Sequence, residues 1–536
     1  MNWFPPGLLA APVLTLLVLG LLPGRRWNPA MLPGGWLTAL PIGMALLLSL
    51  AAAVQVVVVG PIDASFVRWD SPIDFCLGVH VDTVAVVMMV LVSFIGLIIT
   101  RFSMRYLRGD PGQGRFFRWL SFTLGSTLLL VMSCNLVMFT AAWMLTSFGL
   151  HQLLTHYPER TWAMWAARKK FLISRLGDAA LIAALILTYR SFGTTEYTAI
   201  FAAADEIHQG TATGGWATSV IGILFALGAV TKSAQVPFHS WLPDTMETPT
   251  PVSALMHAGV INAGGFLIIR LSPLVSLSPI ALDLLAFIGA VTALLGSVVM
   301  LTQTSIKRSL AYSTIAQMGF MMLQCGLGAF SAALLHIVAH SAYKAHSFLC
   351  SGSVLDAAAR VRLPATSPAS AGRNAVALAG AVAIGTAIVI GTFQLMGMDI
   401  VTKPGGAVLG LILTLALIQF LWSGLASHPW RVSLRSVAGA ALVTATYSVA
   451  YLAVDRLVAS ATSHSTNVPS KLNLLGLGLV ALGFVAVFML QAIVSGPFAR
   501  RRWVKALYVQ AMNGFYIDVP ARRFTAWFYG QSAPVQ

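Results

Sequence analysis

Charged residues are scarce in this sequence. Only 9% of its 536 residues are charged, and the 17 Asp and Glu residues are outnumbered by 33 Lys and Arg. Hydrophobic residues make up 57% of the chain. A composition this apolar excludes a string of soluble domains and predicts a chain that lies in a lipid bilayer. Because a basic surplus is also expected of cytoplasmic loops between spans, nucleic acid is not a predicted partner.

Cysteine is also rare. The four cysteines, Cys76, Cys134, Cys325 and Cys350, are far apart in the sequence, and three lie within apolar runs. This spacing contains neither a disulfide framework nor a CxxC metal site, so we interpret the cysteines as packing residues. The chain has no His, Cys and Asp cluster with the spacing of a zinc site, and we predict no cofactor in it.

The apolar residues form about fifteen runs that approach the roughly 20 residues needed to cross a bilayer. Residues 7–22 are interpreted as the first span and not as a signal peptide, because Arg25 and Arg26 follow the apolar run instead of preceding it. The sequence therefore predicts an all-α polytopic membrane protein. The span centres lie near residues 14, 48, 91, 127, 145, 181, 224, 261, 291, 318, 341, 384, 416, 444 and 482.

Basic residues recur in every second loop. Short cytoplasmic loops collect Lys and Arg, so this alternation predicts a chain with its N-terminus outside and its C-terminus in the cytoplasm. The opposite loops carry acidic residues or almost no charge, although Arg270 and Lys471 lie on the wrong side. The basic positions are Arg25, Arg26, Arg101, Arg105, Arg108, Arg115, Arg118, Arg160, Arg168, Lys169, Lys170, Lys307, Arg308, Arg360, Arg362, Arg373, Arg431, Arg435, Arg500, Arg501, Arg502 and Lys505.

Four prolines interrupt the apolar pattern after Lys232. Pro237, Pro243, Pro249 and Pro251 fall within 15 residues, and a regular helix cannot continue through them. Interrupted spans occur in membranes where they line a protein-enclosed or watery cavity. Lys232 is therefore predicted to lie where an ion path begins.

His336, His340 and Lys344 recur at a spacing of four residues. That spacing keeps the three side chains on one face of a helix. Histidine exchanges a proton near neutral pH, and burial can bring lysine into the same range, so the triple predicts a proton relay. His257, in an otherwise apolar helix earlier in the chain, is either a further member or a residue that makes an ordinary interhelical hydrogen bond.

Two more charged residues have alternative interpretations. Asp178 can form a local ion pair with Arg175, three residues before it, or serve as the acidic partner of Lys232. Lys307, next to Arg308, can mark a cytoplasmic helix end or take part in transport.

Three long motifs resemble a known family. KSAQVPFHSWLPDTMETPTPVSALMHAG, IKRSLAYSTIAQMGF and HIVAHSAYKAHSFLCSGSVL are similar to segments of the antiporter-like subunits of respiratory complex I and of Mrp-type sodium/proton antiporters. The match runs from about residue 80 to about residue 355. It implies inverted five-helix repeats with two broken helices, and a row of buried Lys and His residues at the middle of the membrane.

By motif, Lys232 resembles the broken-helix lysine of the family and His257 the histidine of the next span. His336, His340 and Lys344 resemble the relay near the centre. The expected divisions are N-terminal helices at 1–110, repeats at 111–275 and 276–427, C-terminal helices at 428–497 and a basic, aromatic interfacial tail at 498–536.

The sequence departs from the family at two positions. Where the family has G-W-E, whose acid pairs with the broken-helix lysine, this chain has Ala142-Trp143-Met144. Where the second broken helix usually reads S-K-D-E, the chain has Gly397-Met398-Asp399, and the nearest lysine is Lys403. The charge that would hold Lys232 and the exit lysine of the family are therefore missing or replaced.

With these departures and the ending LYVQAMNGFYID, the sequence resembles those of the membrane subunits of DAB inorganic-carbon accumulation complexes. The resemblance implies a large cytoplasmic partner subunit with a zinc site like that of carbonic anhydrase. It also implies that this chain conducts a cation, with H⁺ favoured over Na⁺, down its gradient and so drives CO2 hydration one way. The alternatives are a subunit of a sodium/proton antiporter or complex I-like pump, and a structural membrane anchor with a vestigial relay.

Overall fold

The computed structural model describes residues 5–23, 27, 34–69, 75–354, 371–398, 404–427, 430–462, 474–494 and 501–530. Each predicted span centre lies within an α-helix, except the one near residue 261, which lies in a short 3₁₀ turn between two helices. Nine of the helices in these ranges are long and apolar enough to cross a membrane, and three shorter apolar helices accompany them. The prediction of an all-α polytopic membrane protein is confirmed.

The first part of the chain contains helices that alternate with short turns. Their bounds are α1 (Pro6–Leu21), α2 (Gly34–Val58), α3 (Thr83–Tyr106), α4 (Gln113–Val131), α5 (Leu136–Leu154), α6 (Thr161–Phe192), α7 (Tyr197–His208) and α8 (Trp216–Lys232). Asp82 and Asn135 cap the N-termini of α3 and α5 through their side-chain oxygens, which accept backbone N–H groups that the helix leaves unpaired.

A two-stranded antiparallel hairpin, β1 (Ile62–Trp69) and β2 (Phe75–Val81), lies between α2 and α3. This hairpin was not predicted from the sequence, because the acidic residues Asp63, Asp70 and Asp74 made the segment resemble a plain loop. The hairpin is held against the turn before α5 by a hydrogen bond from the backbone N–H of His80 to the carbonyl of Met132 (3.0 Å).

The interruption predicted after Lys232 is confirmed. Helix α8 ends at Lys232, a 3₁₀ turn spans Pro243–Glu247, and the chain resumes in α9 (Thr250–Ala258). A second break at Gly259 leads through a 3₁₀ turn to α10 (Ala263–Arg270). Nearly all of Thr250–Arg270 is buried inside the protein, so the interrupted segment is surrounded by other helices.

The second half of the chain packs beside this buried segment. Its helices are α11 (Ser272–Val275), α12 (Pro279–Met300), α13 (Ile306–Gly326), α14 (Phe330–Leu349), α15 (Ala371–Leu395), α16 (Pro404–Ser427), α17 (Trp430–Thr462), α18 (Leu474–Val494), α19 (Arg502–Met512) and α20 (Val519–Tyr529). Asp399, Lys403 and Lys471 lie outside the described residues, so the predicted second broken helix stays a prediction.

Large apolar side chains remain exposed along the spans. Leu14, Leu47, Ile186, Phe287 and Leu442 are among them. A water-soluble protein would bury such residues, whereas a bilayer solvates them. The outer surface of the helices is therefore suited to lipid.

Candidate functional site

Lys232 is buried at the C-terminal end of α8 and points toward α5. Its Nζ donates to Ser147 Oγ (2.6 Å), to the Trp143 carbonyl (3.2 Å) and to Thr146 Oγ1 (3.3 Å). The same nitrogen lies 4.3 Å from the centre of the Trp143 ring, a cation–π geometry. These oxygens are neutral, and they surround Lys232 on the helix where Met144 replaces the family's acid.

A second buried lysine lies on α6 and shares Ser147 with Lys232. Lys170 Nζ donates to the Ser147 carbonyl (2.7 Å), and the two ammonium groups are close enough to interact electrostatically. The assignment of Lys169 and Lys170 to a cytoplasmic basic loop was wrong, because α6 begins at Thr161 and both side chains are buried. Lys170 and Asp178 are eight residues apart and so lie on the same side of a helix. This spacing could have marked Lys170 as a candidate site residue in the sequence.

Asp178 lies on α6 beside this pair of lysines. Its Oδ2 is 2.5 Å from Nη2 of Arg175, so the predicted local ion pair is present. Asp178 also interacts electrostatically with Lys232 and Lys170. The ion pair with Arg175 is therefore the direct contact of Asp178, and no ion pair joins Asp178 to Lys232 among the described residues.

Lys169, the neighbour of Lys170, forms a buried ion pair that the sequence analysis missed. Its Nζ is 2.5 Å from Oδ2 of Asp244, and the two side chains are 1% and 5% exposed. Asp244 belongs to the 3₁₀ turn that follows α8. The pair therefore fastens the interrupted segment to α6.

His257 lies at the centre of a second polar cluster. Its Nδ1 is 3.0 Å from Thr314 Oγ1 on α13, and its ring stacks on Phe348 at 4.2 Å between centroids. Its Nε2 is buried and has no hydrogen-bond partner among the described residues. One ring nitrogen is thus oriented by the protein while the other stays available.

His336, His340 and Lys344 lie on α14 as the spacing predicts. The rings of His336 and His340 are 6.0 Å apart, and His340 interacts electrostatically with Lys344 and with His257. Both ring nitrogens of His340 are buried without a hydrogen-bond partner in the part of the chain that the structure describes. The imidazoles and Lys344 thus form one continuous cluster.

Lys344 is held in the same manner as Lys232. Its Nζ donates to Ser313 Oγ (2.7 Å) and to the Leu310 carbonyl (3.3 Å). Both acceptors are neutral oxygens of the neighbouring helix, and the side chain is fully buried. Both lysines are therefore held by neutral oxygens, but they lie in separate clusters, which no hydrogen bond joins among the residues described.

Lys307 lies at the start of α13 and is half-buried. Its Nζ donates to Thr250 Oγ1 (3.2 Å), the first residue of α9. Lys307 thus connects α13 to the resumed half of the interrupted segment. Within the described ranges, no group of three or more His, Cys, Asp or Glu residues could hold a metal ion.

Comparison with known proteins identifies the same family that the sequence motifs resemble. Residues 133–426 match the family described as NADH:quinone oxidoreductase/Mrp antiporter, TM, and residues 70–117 match the N-terminus of complex I chain 5. The probable inorganic carbon transporter subunit DabB2 of Halothiobacillus neapolitanus is 39% identical over 84% of this chain and 81% of its own length. The NAD(P)H-quinone oxidoreductase chain 5 of a Synechocystis strain is 38% identical over 54% of this chain and 43% of its own.

A solved structure supports the fold alone. The Mrp complex from Dietzia sp. contains a chain that superposes with a TM-score of 0.59 at 24% identity, over 98% of this chain and 57% of that one. The family match extends over more than half of the sequence, and the similarity to DabB2 extends over most of both chains. This chain therefore belongs to the NADH:quinone oxidoreductase/Mrp antiporter family of membrane subunits.

Proposed function

We propose that this chain conducts protons across a bacterial inner membrane and thereby energises inorganic-carbon accumulation by a partner subunit. One observation carries the proposal: the Lys232 and Lys344 ammonium groups are held by neutral oxygens, and beside Lys344 the ring nitrogens of His340 and Nε2 of His257 have no hydrogen-bond partner among the described residues. Ionisable groups are expensive inside a membrane and persist there mainly for function. An ammonium that is held by hydroxyl and carbonyl oxygens can lose its proton without leaving a carboxylate unpaired.

The cluster on α14 supports transfer of protons in steps. Neutral imidazole has one nitrogen that donates and one that accepts. His257 uses Nδ1 for Thr314 and keeps Nε2 available, and His340 keeps both. In the proposed path Lys344 exchanges a proton with His340, and His257 and His336 extend the route on either side. Water would have to link this cluster to Lys232.

The first cluster would act as the second store of protons. Lys170 and Lys232 both contact Ser147, and like charges this close repel each other. A proton that arrives on one lysine therefore favours release from the other. Asp178 would moderate the repulsion, and Lys307 would fix the helix end at which α13 meets α9.

The coupling to carbon uptake is proposed from the relatives. DabB2 is named as a probable inorganic carbon transporter subunit and matches along most of this chain. We extend that role here, with a large cytoplasmic zinc-binding partner that hydrates CO2. The proposal includes the outside N-terminus, the cytoplasmic C-terminus and the repeats at 111–275 and 276–427.

A second candidate is a subunit of a sodium/proton antiporter or a complex I-like pump. The family match and the quinone oxidoreductase relative favour it. Met144 argues against it, because the acid that would hold Lys232 is absent. A structural anchor with a vestigial relay is the third.

Growth of a carbonic-anhydrase-deficient bacterium in air separates these candidates. Rescue by this chain together with its partner, and by neither alone, is the expected result. Lys344→Ala and His340→Ala should abolish rescue, while His346→Ala, on the exposed face of α14, should not. Full rescue by Lys344→Ala with an intact complex would leave only the anchor role.

A further inference from the structure

Three segments that are distant in sequence meet at one end of the protein. They are the hairpin, the turn between α4 and α5, and the segment between α6 and α7. The backbone N–H of Leu136 donates to the Thr195 carbonyl (3.0 Å), and that of Tyr197 donates to the Cys134 carbonyl (3.3 Å). An ion pair between Arg68 and Glu196 joins the hairpin to the same place.

Cys76 and Cys134 face each other at this junction. Their sulfurs are 3.3 Å apart, although 58 residues separate them in the chain. The Asn135 side-chain amide lies beside the two sulfurs, with Nδ2 at 3.4 Å from each, and it also donates to the Cys76 carbonyl (2.7 Å). Their proximity was not predicted from the sequence, because it depends on the hairpin, which places Cys76 beside the turn that contains Cys134.

The charged residues near this junction indicate which side of the membrane it faces. Asp63 lies on β1 and Glu196 just before α7, with Asp205 and Glu206 further along α7, whereas the basic loops lie at the other ends of the helices. By the positive-inside rule the junction is outside the cell. This step depends on the orientation proposed above. Disulfides form and persist in such oxidising surroundings and are rare in the cytoplasm.

We propose that Cys76 and Cys134 form a disulfide bond in the mature protein. The oxidant is a protein dithiol oxidase in its disulfide form. The thiolate of one cysteine attacks that disulfide and forms a mixed disulfide, which the second thiolate then attacks. Two protons leave the thiols, two electrons pass to the oxidase, and the oxidase departs as its dithiol while the S–S bond remains here.

The bond would anchor the start of α5. Cys76 lies on β2, and Cys134 precedes Asn135, the N-cap of α5. Further along α5, Trp143, Thr146 and Ser147 hold Lys232. A covalent tie at the outer end of this helix would limit its movement relative to α8 during transport.

Peptide mass spectrometry tests the bond in the unaltered chain. Cells are quenched in acid, the membranes are denatured, free thiols are blocked with N-ethylmaleimide, and the protein is digested without reductant. Denaturation is needed because burial raises the pKa of the Cys134 thiol to about 12, and a thiol that stays protonated reacts slowly. Cys325, buried within α13, serves as the internal control that should be blocked in full.

The expected result is a linked peptide pair containing Cys76 and Cys134, two hydrogens lighter than the sum of the reduced peptides. The pair should disappear on reduction and in Cys76→Ser. Recovery of both cysteines as blocked thiols without reductant would overturn the inference.

A labelling experiment separates failure of the bond from failure of the orientation. Phe66 is exposed in the hairpin, and Phe66→Cys can be introduced in a Cys76→Ser, Cys134→Ser background. Labelling of intact cells by a membrane-impermeant maleimide, combined with a reduced native pair, would reject the disulfide and keep the orientation. Absence of labelling until the cells are lysed, with a reduced pair, would reject both.

Discussion

At the scale of single residues, Ser147 determines how two buried charges are arranged. Its hydroxyl accepts from Lys232 and its carbonyl accepts from Lys170. Hydrogen bonds to a charged group contribute about 1.5–3 kcal/mol. Only the hydroxyl can be removed by substitution, so the two lysines can be affected separately.

Ser147→Ala should reduce proton flux by roughly tenfold or more, because a change of about 1.4 kcal/mol at Lys232 corresponds to a factor of ten. The contact of Lys170 with the carbonyl should persist. The measurement is flux through the purified complex in liposomes.

The matched control for this substitution is Ser126→Ala. Ser126 is also a buried serine, and its hydroxyl has no hydrogen-bond partner in the described residues. Equal flux in the two variants would contradict the role assigned to Ser147.

The Lys169–Asp244 pair should contribute to stability and not to conduction. Breaking one side of a buried ion pair costs about 3–5 kcal/mol, since the other charge is left uncompensated. Lys169→Met should therefore lower the melting temperature in detergent, and the added Asp244→Asn should restore much of it. A double variant no more stable than Lys169→Met would show that the ion pair is not the reason.

Site residues could be predicted from the sequence where a pattern of polar residues repeats along one helix. The spacing of His336, His340 and Lys344 predicted their common helix. The burial of Lys169 and Lys170 was not predictable from the sequence. Together with Arg160 and Arg168 they give this segment the composition of a cytoplasmic loop. Their partners, Ser147 and Asp244, come from distant segments that only the packing brings near.

At the scale of elements, the packing of α12 against α13 positions the second cluster. Glycines allow the two backbones to approach closely: a Cβ added at Gly319 would lie 2.8 Å from the Gly289 carbonyl oxygen. Small residues at helix interfaces allow such contacts in membranes. Helix α13 also carries Ser313 and Thr314, which hold Lys344 and His257.

Gly319→Leu should push α13 away from α12 and displace both hydroxyl groups. The expected outcome is loss of flux and lower thermal stability, measured on the purified complex. Gly391→Leu is the control, because a Cβ at Gly391 would meet no heavy atom within 4 Å. Unimpaired flux in Gly319→Leu would contradict the proposed dependence on this contact.

Helix boundaries could be predicted where the residue types exclude a regular helix. The four prolines after Lys232 exclude a continuous helix, and the break is present. The hairpin of β1 and β2 was not predicted, because its acidic residues resemble those of a loop and its position depends on contact with the turn at Met132. Apolar runs reveal spans but not which spans touch.

At the scale of the whole molecule, the C-terminal segment with helices α19 and α20 is the clearest candidate for contact with the proposed partner subunit. The segment is not free of the chain: Tyr508 donates to the Thr302 carbonyl (3.4 Å), and Arg168 lies over the Tyr529 ring. Helix α20 nevertheless exposes Trp527 and Phe524. Exposed aromatic residues beside arginines are common in protein interfaces.

Trp527→Ala should weaken co-purification of the partner by about tenfold in affinity, since buried Trp residues often dominate binding energy. The protein should stay folded because Trp527 is 76% exposed. Trp216→Ala, with a tryptophan that is 75% exposed at the start of α8, is the matched control. Equal recovery of the partner with both variants would assign the aromatic face of α20 to lipid.

The most direct test of the proposed conduction is proton flux through Lys344. The complex is reconstituted in liposomes that contain a pH-sensitive dye, and an electrical potential is imposed across the membrane. Acidification should follow in the unaltered complex and be lost in Lys344→Ala, with assembly unchanged. Equal acidification rates in the two preparations would contradict transport through the buried lysine and histidines.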